Sequence, residues 1–309
     1  MPAYNVADFI GQAIQSVLDQ THSNFELLII NDGSKDQTEK IVLSFNDPRI
    51  TLVSQTNAGV AAALNKGLSL ADTDYIARFD ADDICVPARL EKQLNFLVEH
   101  PDYAVVGSDA EYITAEGSHL FDFKCIGHTH EAIIKKLYFY CPFIHSAVMY
   151  RKSLVIKAGA YIENAHHFED YLLWVRLCDY GKYFNLPEQL IKVRFHPLSV
   201  TMDEKWRSRD FRQLKRKSIL KREITAKEGG ELLHMIQKQN LRKIKEAAYY
   251  ALCGKKYLFD NYSPKQARIY LYKAIRIHPR RVDNYFLIIL SFFPIDFIKW
   301  LHFQRPNKI

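Results

Sequence analysis

The chain lacks any stretch of about 18 uninterrupted apolar residues, the length a helix needs to span a bilayer. Its longest apolar run, Phe286 to Phe293, is broken by Ser291 and stopped by Pro294. The start, Met1-Pro2-Ala3-Tyr4-Asn5, has neither the basic opening nor the apolar run of a secretory signal. Cysteine is sparse: Cys85, Cys125, Cys141, Cys178 and Cys253 lie far apart. An odd number without a CxxC pair argues against a disulfide framework and against a zinc site. Reduced, buried thiols in a cytosolic protein fit better. A glycine- and base-rich loop of the kind that grips a triphosphate is also missing. Asn31-Asp32-Gly33-Ser34 supplies one glycine and an acid, which disfavours a nucleotidyltransferase.

The chain does have length and apolar content. Its 309 residues are 48% hydrophobic and 25% charged, enough for one sizeable domain and a smaller appendage. The net charge of +7 hides an asymmetry. Residues 1–200 carry 17 basic against 25 acidic residues, a net −8, and residues 201–309 carry 25 against 10, a net +15. Opposite signs suggest two modules with different partners. We place them at 1–203 and 204–309.

Residues 1–110 alternate helix and strand patterns, predicting an α/β domain with a mainly parallel sheet. Val6, Phe9, Ile10, Ala13, Ile14, Val17 and Leu18 recur at helical spacing, with Asn5 placed to cap. Strands are predicted at 25–30, 50–54 and 75–79, and helices at 37–45, 60–70 and from Pro87 to about Glu99. Further strands are expected at 103–114, 145–150 and 189–195, and helices at 130–140, 152–158 and 169–180, the last stopped by Gly181. Acidic clusters repeatedly follow predicted strands, where open α/β sheets bind ligands. After Thr201 the pattern turns helical. Tyr250, Gly254 and Tyr257, then Ala267, Leu271, Ala274 and Pro279, read as a single tetratricopeptide-like helical hairpin, a packing device rather than an array.

Asp80-Ala81-Asp82 is the central chemical feature. Two carboxylates one residue apart at a strand end can offer oxygens to Mg²⁺ or Mn²⁺, which complete their shells with phosphate and water. An isolated pattern of this kind is also a common acidic loop. Glu169-Asp170 opens a helix, where a carboxylate equally serves the helix dipole, worth about 0.3–1 kcal/mol.

Taken in order, Pro2-Ala3-Tyr4-Asn5, Asn31-Asp32-Gly33-Ser34, Asn57-Ala58-Gly59, Asp80-Ala81-Asp82-Asp83 and Glu169-Asp170 resemble family 2 of the inverting glycosyltransferases, over roughly residues 1–200. Arg194, His196 and Ser199 continue the likeness. The resemblance implies a GT-A fold, a Rossmann-like mixed sheet with flanking helices, followed here by a mainly α-helical C-terminal extension. It implies that Pro2, Tyr4 and Asp32 surround the nucleotide base of a donor, by default a UDP-sugar. Asp80 and Ala81 would line the donor, Asp80 contacting ribose or a metal-bound water, and Asp82 would hold the metal. Asp170 would be the general base, with Glu169 positioning it, in a single displacement that inverts the anomeric centre. Arg194 and His196 would steady the departing diphosphate, or His196 is structural. Arg78 touches phosphate or forms a core ion pair. His145 lines the acceptor side or is an interior histidine. Trp174 is core or an acceptor-stacking ring. Adjacent His166 and His167 do not share a face and make a poor metal pair. The family normally has an apolar strand ahead of Pro-Ala-Tyr-Asn, so we expect either an upstream start or a form lacking that strand.

The basic segment 205–222 and the aromatic end, Tyr285 to Leu301, suit an anionic membrane surface presenting a saccharide or lipid-linked acceptor, or else pack on themselves. The expected location is cytoplasmic, peripheral on the inner face of the membrane. No nucleic-acid recognition motif accompanies the charge. The alternative is a non-catalytic nucleotide-sugar or polysaccharide binding module of the same fold.

Overall fold

The structure is a computed structural model and describes residues 1–197, 199, 206–239 and 242–303. The chain divides into two compact units. Residues 1–111, 123–193 and 212–232 make the first; the second takes 112–122 and the described parts of 194–211 and 233–309. The boundary expected at 203–204, with Lys205, lies outside the described residues.

In the first unit, Pro2–Ala3 (β1), Leu27–Asn31 (β2) and Ile50–Ser54 (β3) form a parallel sheet in that order. Ala7–Leu18 (α1), Thr38–Leu43 (α2) and Val60–Leu70 (α3) alternate with these strands. Each parallel pair needs such a crossover. Tyr75–Ala77 (β4), Ile84–Cys85 (β5), Arg89–Glu99 (α4) and Tyr103–Ile113 (β6) follow. Beyond His119–Phe123 (β7) and His130–Ile134 (α5) come Met149–Arg151 (β8), Lys152–Lys157 (α6), Glu169–Leu177 (α7) and Lys182–Arg194 (β9). The second sheet runs β4-β8-β6-β9-β5. There β4 and β6 each pair antiparallel with β8, and β5 with β9. The mainly parallel expectation therefore holds for β1 to β3 and fails for the pairs β4–β8, β6–β8 and β5–β9, because an apolar run of strand length does not reveal its direction.

Asn5 does not cap α1. Its side chain accepts from the Lys35 N–H at 2.8 Å, and its φ of 51° lies in the left-handed region. The start of α1 is closed from the next loop instead: Val6 N–H donates to Thr38 Oγ1 at 2.9 Å and Ala7 N–H to Asp36 Oδ2 at 3.0 Å. One loop thereby fixes two helix starts, since Asp36 Oδ1 also accepts from the Thr38 N–H at 3.0 Å.

In the second unit the end of β6 turns at 114–118 into β7, and Tyr112 stacks on Phe121 at 4.6 Å. Arg209–Lys221 (α8) and Ala226–Gln239 (α9) each run between the two stretches of sequence. Arg242–Phe259 (α10) and Pro264–Ile277 (α11) form the expected hairpin, followed by Val282–Leu290 (α12) and Ile295–Phe303 (α13). Gly254 lets α10 and α11 touch: a Cβ there would stand 2.6 Å from Leu271 Cγ. Leu258, Phe259, Ala267, Leu271, Leu287, Leu290 and Ile298 are the buried core of these four helices.

Candidate active site

The loop after β2 is built on Asp32, which is 3% exposed. Its Oδ1 accepts from Gln55 Nε2 at 2.8 Å and from the Ala58 N–H at 2.9 Å, and its Oδ2 from the Gly59 N–H at 2.9 Å. The Asn57-Ala58-Gly59 segment is thus held by a buried carboxylate at the start of α3, where the helix dipole favours negative charge. Gly59 takes φ 92°, a conformation suited to glycine. Half-buried Pro2 and exposed Tyr4, 46% exposed, lie beside this loop through the β1–β2 pairing.

Arg78 follows β4. It is 5% exposed and forms an ion pair with Asp80. The Asp80 N–H donates to Ser146 Oγ at 2.9 Å, fixing the loop to the turn 145–147. Asp80, Asp82 and Asp83 each offer an oxygen, all within 4.8 Å of one another. Asp82 is half-buried and Asp83 buried. This all-oxygen, anionic donor set fits Mg²⁺ or Mn²⁺. Burial raises the Asp80 pKa, with Asp82 adding to the rise while Arg78 opposes it. Ala81 is 3% exposed, so what it offers a ligand is backbone.

Glu169 and Asp170 open α7 after a strained turn: His167 has φ 69°. Glu169 is buried, its Oε2 meets no hydrogen-bond partner, and burial followed by the Asp170 charge lifts its pKa to about 7. Asp170 is half-buried, accepts from the Tyr171 N–H at 2.7 Å, and has Cys141 Sγ 3.7 Å from its Oδ2. Charges join the two acidic groups: Arg78 feels Asp80 and Asp170, and Glu169 feels Arg78 and Asp80. The residues predicted at 78–82 and at 169–170 therefore share one electrostatic neighbourhood.

His145 Nε2 hydrogen-bonds the Tyr161 hydroxyl at 3.0 Å. Burial, then the Arg78 charge, pushes the His145 pKa well down, so the imidazole is neutral at physiological pH. Trp174 is 0% exposed and packs against Phe143, His145 and Tyr150, which closes the acceptor-stacking role and makes it core. Arg194 and His196 belong to the second unit. Both are buried; Arg194 Nη1 donates to the Ala115 carbonyl at 2.9 Å and the His196 N–H to Ser199 Oγ at 3.2 Å.

Sequence reasoning missed the frame beneath the acidic loop. Arg89 is 0% exposed; its guanidinium donates to the carbonyls of Arg78 at 2.6 Å and Val148 at 3.1 Å, and to Gln93 Oε1 at 3.0 Å. Gln93 in turn donates to the Ala147 carbonyl at 2.7 Å. Two polar residues at i, i+4 on the face that carries Leu90 and Leu97 were the available signal. Asp83, Tyr161 and Cys141 were likewise not assigned, and the last two carry no local pattern that marks them.

Residues 1–157 match Glycosyl transferase family 2. Among curated relatives, the putative glycosyltransferase EpsE of Bacillus subtilis is 35% identical over 204 residues, 63% of this chain and 71% of that one. The amylovoran biosynthesis glycosyltransferase AmsE of Erwinia amylovora is 33% identical over 191 residues, 60% of this chain and 70% of that one. Two solved structures share the fold. S. aureus TarS 1–349 in complex with UDP superposes with TM-score 0.55 at 16% identity, covering 100% of this chain and 91% of that one. The mannosyltransferase PcManGT of Pyrobaculum calidifontis, with GDP-Man and Mn²⁺, gives 0.53 at 17% identity, covering 97% and 82%. The chain spans about half, 54%, of the longer TarS chain. Family match, two-part sheet and acidic strand ends agree: this chain belongs to glycosyl transferase family 2 and has the GT-A fold.

Proposed function

We propose that the chain moves a sugar from a nucleotide-diphosphate donor, a UDP-sugar by default, to a hydroxyl of a saccharide or lipid-linked acceptor in surface polysaccharide biosynthesis, with inversion at the anomeric carbon. The observation that carries this reading is the shared neighbourhood of the Asp80–Asp83 cluster and the Glu169–Asp170 pair around Arg78. The relatives' names and the UDP and GDP-Man complexes support it.

Asp82, with Asp80 and Asp83, would hold Mg²⁺ or Mn²⁺, which supplies positive charge against a diphosphate leaving group. Asp170 takes the proton from the acceptor hydroxyl as the oxygen attacks. Glu169, held towards its protonated form by burial, leaves Asp170 as the carboxylate that accepts. Pro2 and Tyr4 line the base, while Asp32 shapes the Asn57–Gly59 loop beside them. Neutral His145 meets the acceptor as a hydrogen-bonding group rather than a cation. A membrane-presented acceptor fits the basic, aromatic C-terminal region, and the chain then works peripherally on the cytoplasmic face.

The test is turnover of a nucleotide-sugar panel with and without Mn²⁺ or Mg²⁺, using a membrane lipid extract as acceptor source, on wild type and Asp82→Ala. Metal-dependent release of a nucleoside diphosphate from one donor, lost in the variant, is expected. Donor binding without turnover across the panel would favour the binding-module reading. Product anomeric configuration, read by NMR, decides inversion.

A further inference from the structure

One face of α12 and α13 is apolar for an ordinary reason: Leu287, Leu290 and Ile298 close the core against α10 and α11. The other side should be polar, and it is not. Val282, Tyr285, Phe286 and Ile289, at i, i+3, i+4 and i+7 along α12, are 75%, 42%, 57% and 61% exposed. Phe292, Phe293, Phe297 and Trp300 extend the exposed stripe. Phe293 stacks on Phe297 at 5.1 Å, and Phe297 on Trp300 at 5.8 Å. Asp283 and Asp296 interrupt this stripe, yet so many large exposed apolar side chains in one patch mark a surface that something else covers.

These helices cannot cross a bilayer. Nine residues reach only about 14 Å against a hydrocarbon core of about 30 Å, and among the described residues no helix is long and apolar enough. An in-plane position remains. The surrounding charge agrees with it: residues 264–303 carry seven basic residues against two acidic ones, Asp283 and Asp296. Arg280, in the turn before α12, and Lys299, next to Trp300 in the chain, are exposed, and the Arg268 guanidinium sits 4.6 Å from the centre of the Phe292 ring. The charges of α12 and α13 themselves are Asp283, Asp296 and Lys299, and the cationic excess comes from α11 and the turn before α12, at Lys265, Arg268, Lys273, Arg276, Arg280 and Arg281.

We propose that the outer face of α12 and α13 docks in the headgroup layer of an anionic bilayer, its rings inserted among the acyl chains and its cations on lipid phosphates. The inference rests on the membrane-presented acceptor proposed above and locates the contact.

The full chain would be co-sedimented with phosphatidylcholine vesicles, with and without phosphatidylglycerol. The variants are Ile289→Glu/Phe292→Glu/Trp300→Glu and Arg280→Glu/Lys299→Glu. We expect wild type to pellet with the anionic vesicles, the triple variant to bind at least about tenfold more weakly, and the charge variant to lose mainly the preference for anionic lipid. Circular dichroism and metal-dependent donor hydrolysis, read without lipid, should match wild type in both. Wild type remaining in the supernatant overturns the docking and the membrane-presented acceptor together. Wild type pelleting with the triple variant unchanged overturns only the choice of face. A dimer in sedimentation velocity that the triple variant dissolves gives the face to a second copy and overturns the proposal. Donor hydrolysis separates all three outcomes from failure of the transferase reading.

Discussion

The acidic loops of the first unit and the last two helices of the second treat charge and apolar surface in opposite ways. In the first, ionisable groups are pulled inside: Arg78, Arg89, Asp32, Asp83 and Glu169 are all buried, four of them with hydrogen-bond or ion-pair partners and Glu169 with an unpartnered oxygen. In the second, large apolar groups are pushed outside: nine of them between Val282 and Trp300 are exposed. Buried charge is costly unless paired, and exposed aromatics are costly unless covered. Each unit carries the cost that its role requires. The first holds fixed carboxylates in low-dielectric surroundings, which suits the proposed chemistry; the second presents an apolar surface, which suits the proposed attachment.

The comparison can be broken at several points. The largest expected effect is on turnover: Asp170→Asn should lower kcat by about 10²–10⁴-fold, the usual worth of a general base, in steady-state kinetics. Next is stability in the first unit. Arg89→Ala strands the Arg78 carbonyl and the amide oxygen of Gln93, leaves the Val148 carbonyl with only the Arg78 N–H, and should cost about 3 kcal/mol by urea denaturation. In the second unit the sensitive position is steric: Gly254→Ala brings a methyl onto Leu271 and should cost about 1–3 kcal/mol in the same assay.

A pH effect distinguishes the units further. Glu169 has its folded pKa raised from 4.5 to about 7, so the unfolded chain releases its proton first. Its stabilising contribution is fully present below about pH 4.5 and is lost as pH rises through about 7. The thermal midpoint of wild type relative to Glu169→Gln should therefore fall across that window and level off above it. The smallest effect is Trp300→Glu, which should change unfolding free energy by no more than about 0.5 kcal/mol, because a 55% exposed ring contributes little to the core. A large loss there would mean the aromatic face is structural, and the contrast between the units would fail.

Much of this was legible before the structure. Residues 50–54 and 60–70 fold as their periodicity says, because a strand run and an amphipathic helix leave different spacings. The acidic loop and Glu169–Asp170 stand out because chemistry restricts residue type. What was hidden depends on partners distant in sequence. The cap of α1 comes from Asp36 and Thr38, and the Asp80 loop is anchored by Ser146, 66 residues away. β9 begins at Lys182 rather than near 189, because Pro187 and Glu188 interrupt the pattern that marks a strand. Trp174 could not be assigned from spacing, since only packing tells a core ring from a stacking platform.

Calorimetric titration of the donor that turns over, in the presence of Mn²⁺, into wild type, Asp82→Ala and Asp170→Asn tests the central claim most directly. If the acidic loop after β4 binds the donor and the start of α7 takes the acceptor's proton, Asp170→Asn binds donor like wild type yet barely turns over, while Asp82→Ala loses metal-dependent binding. Donor binding abolished by Asp170→Asn, or turnover surviving it, would contradict that division of labour.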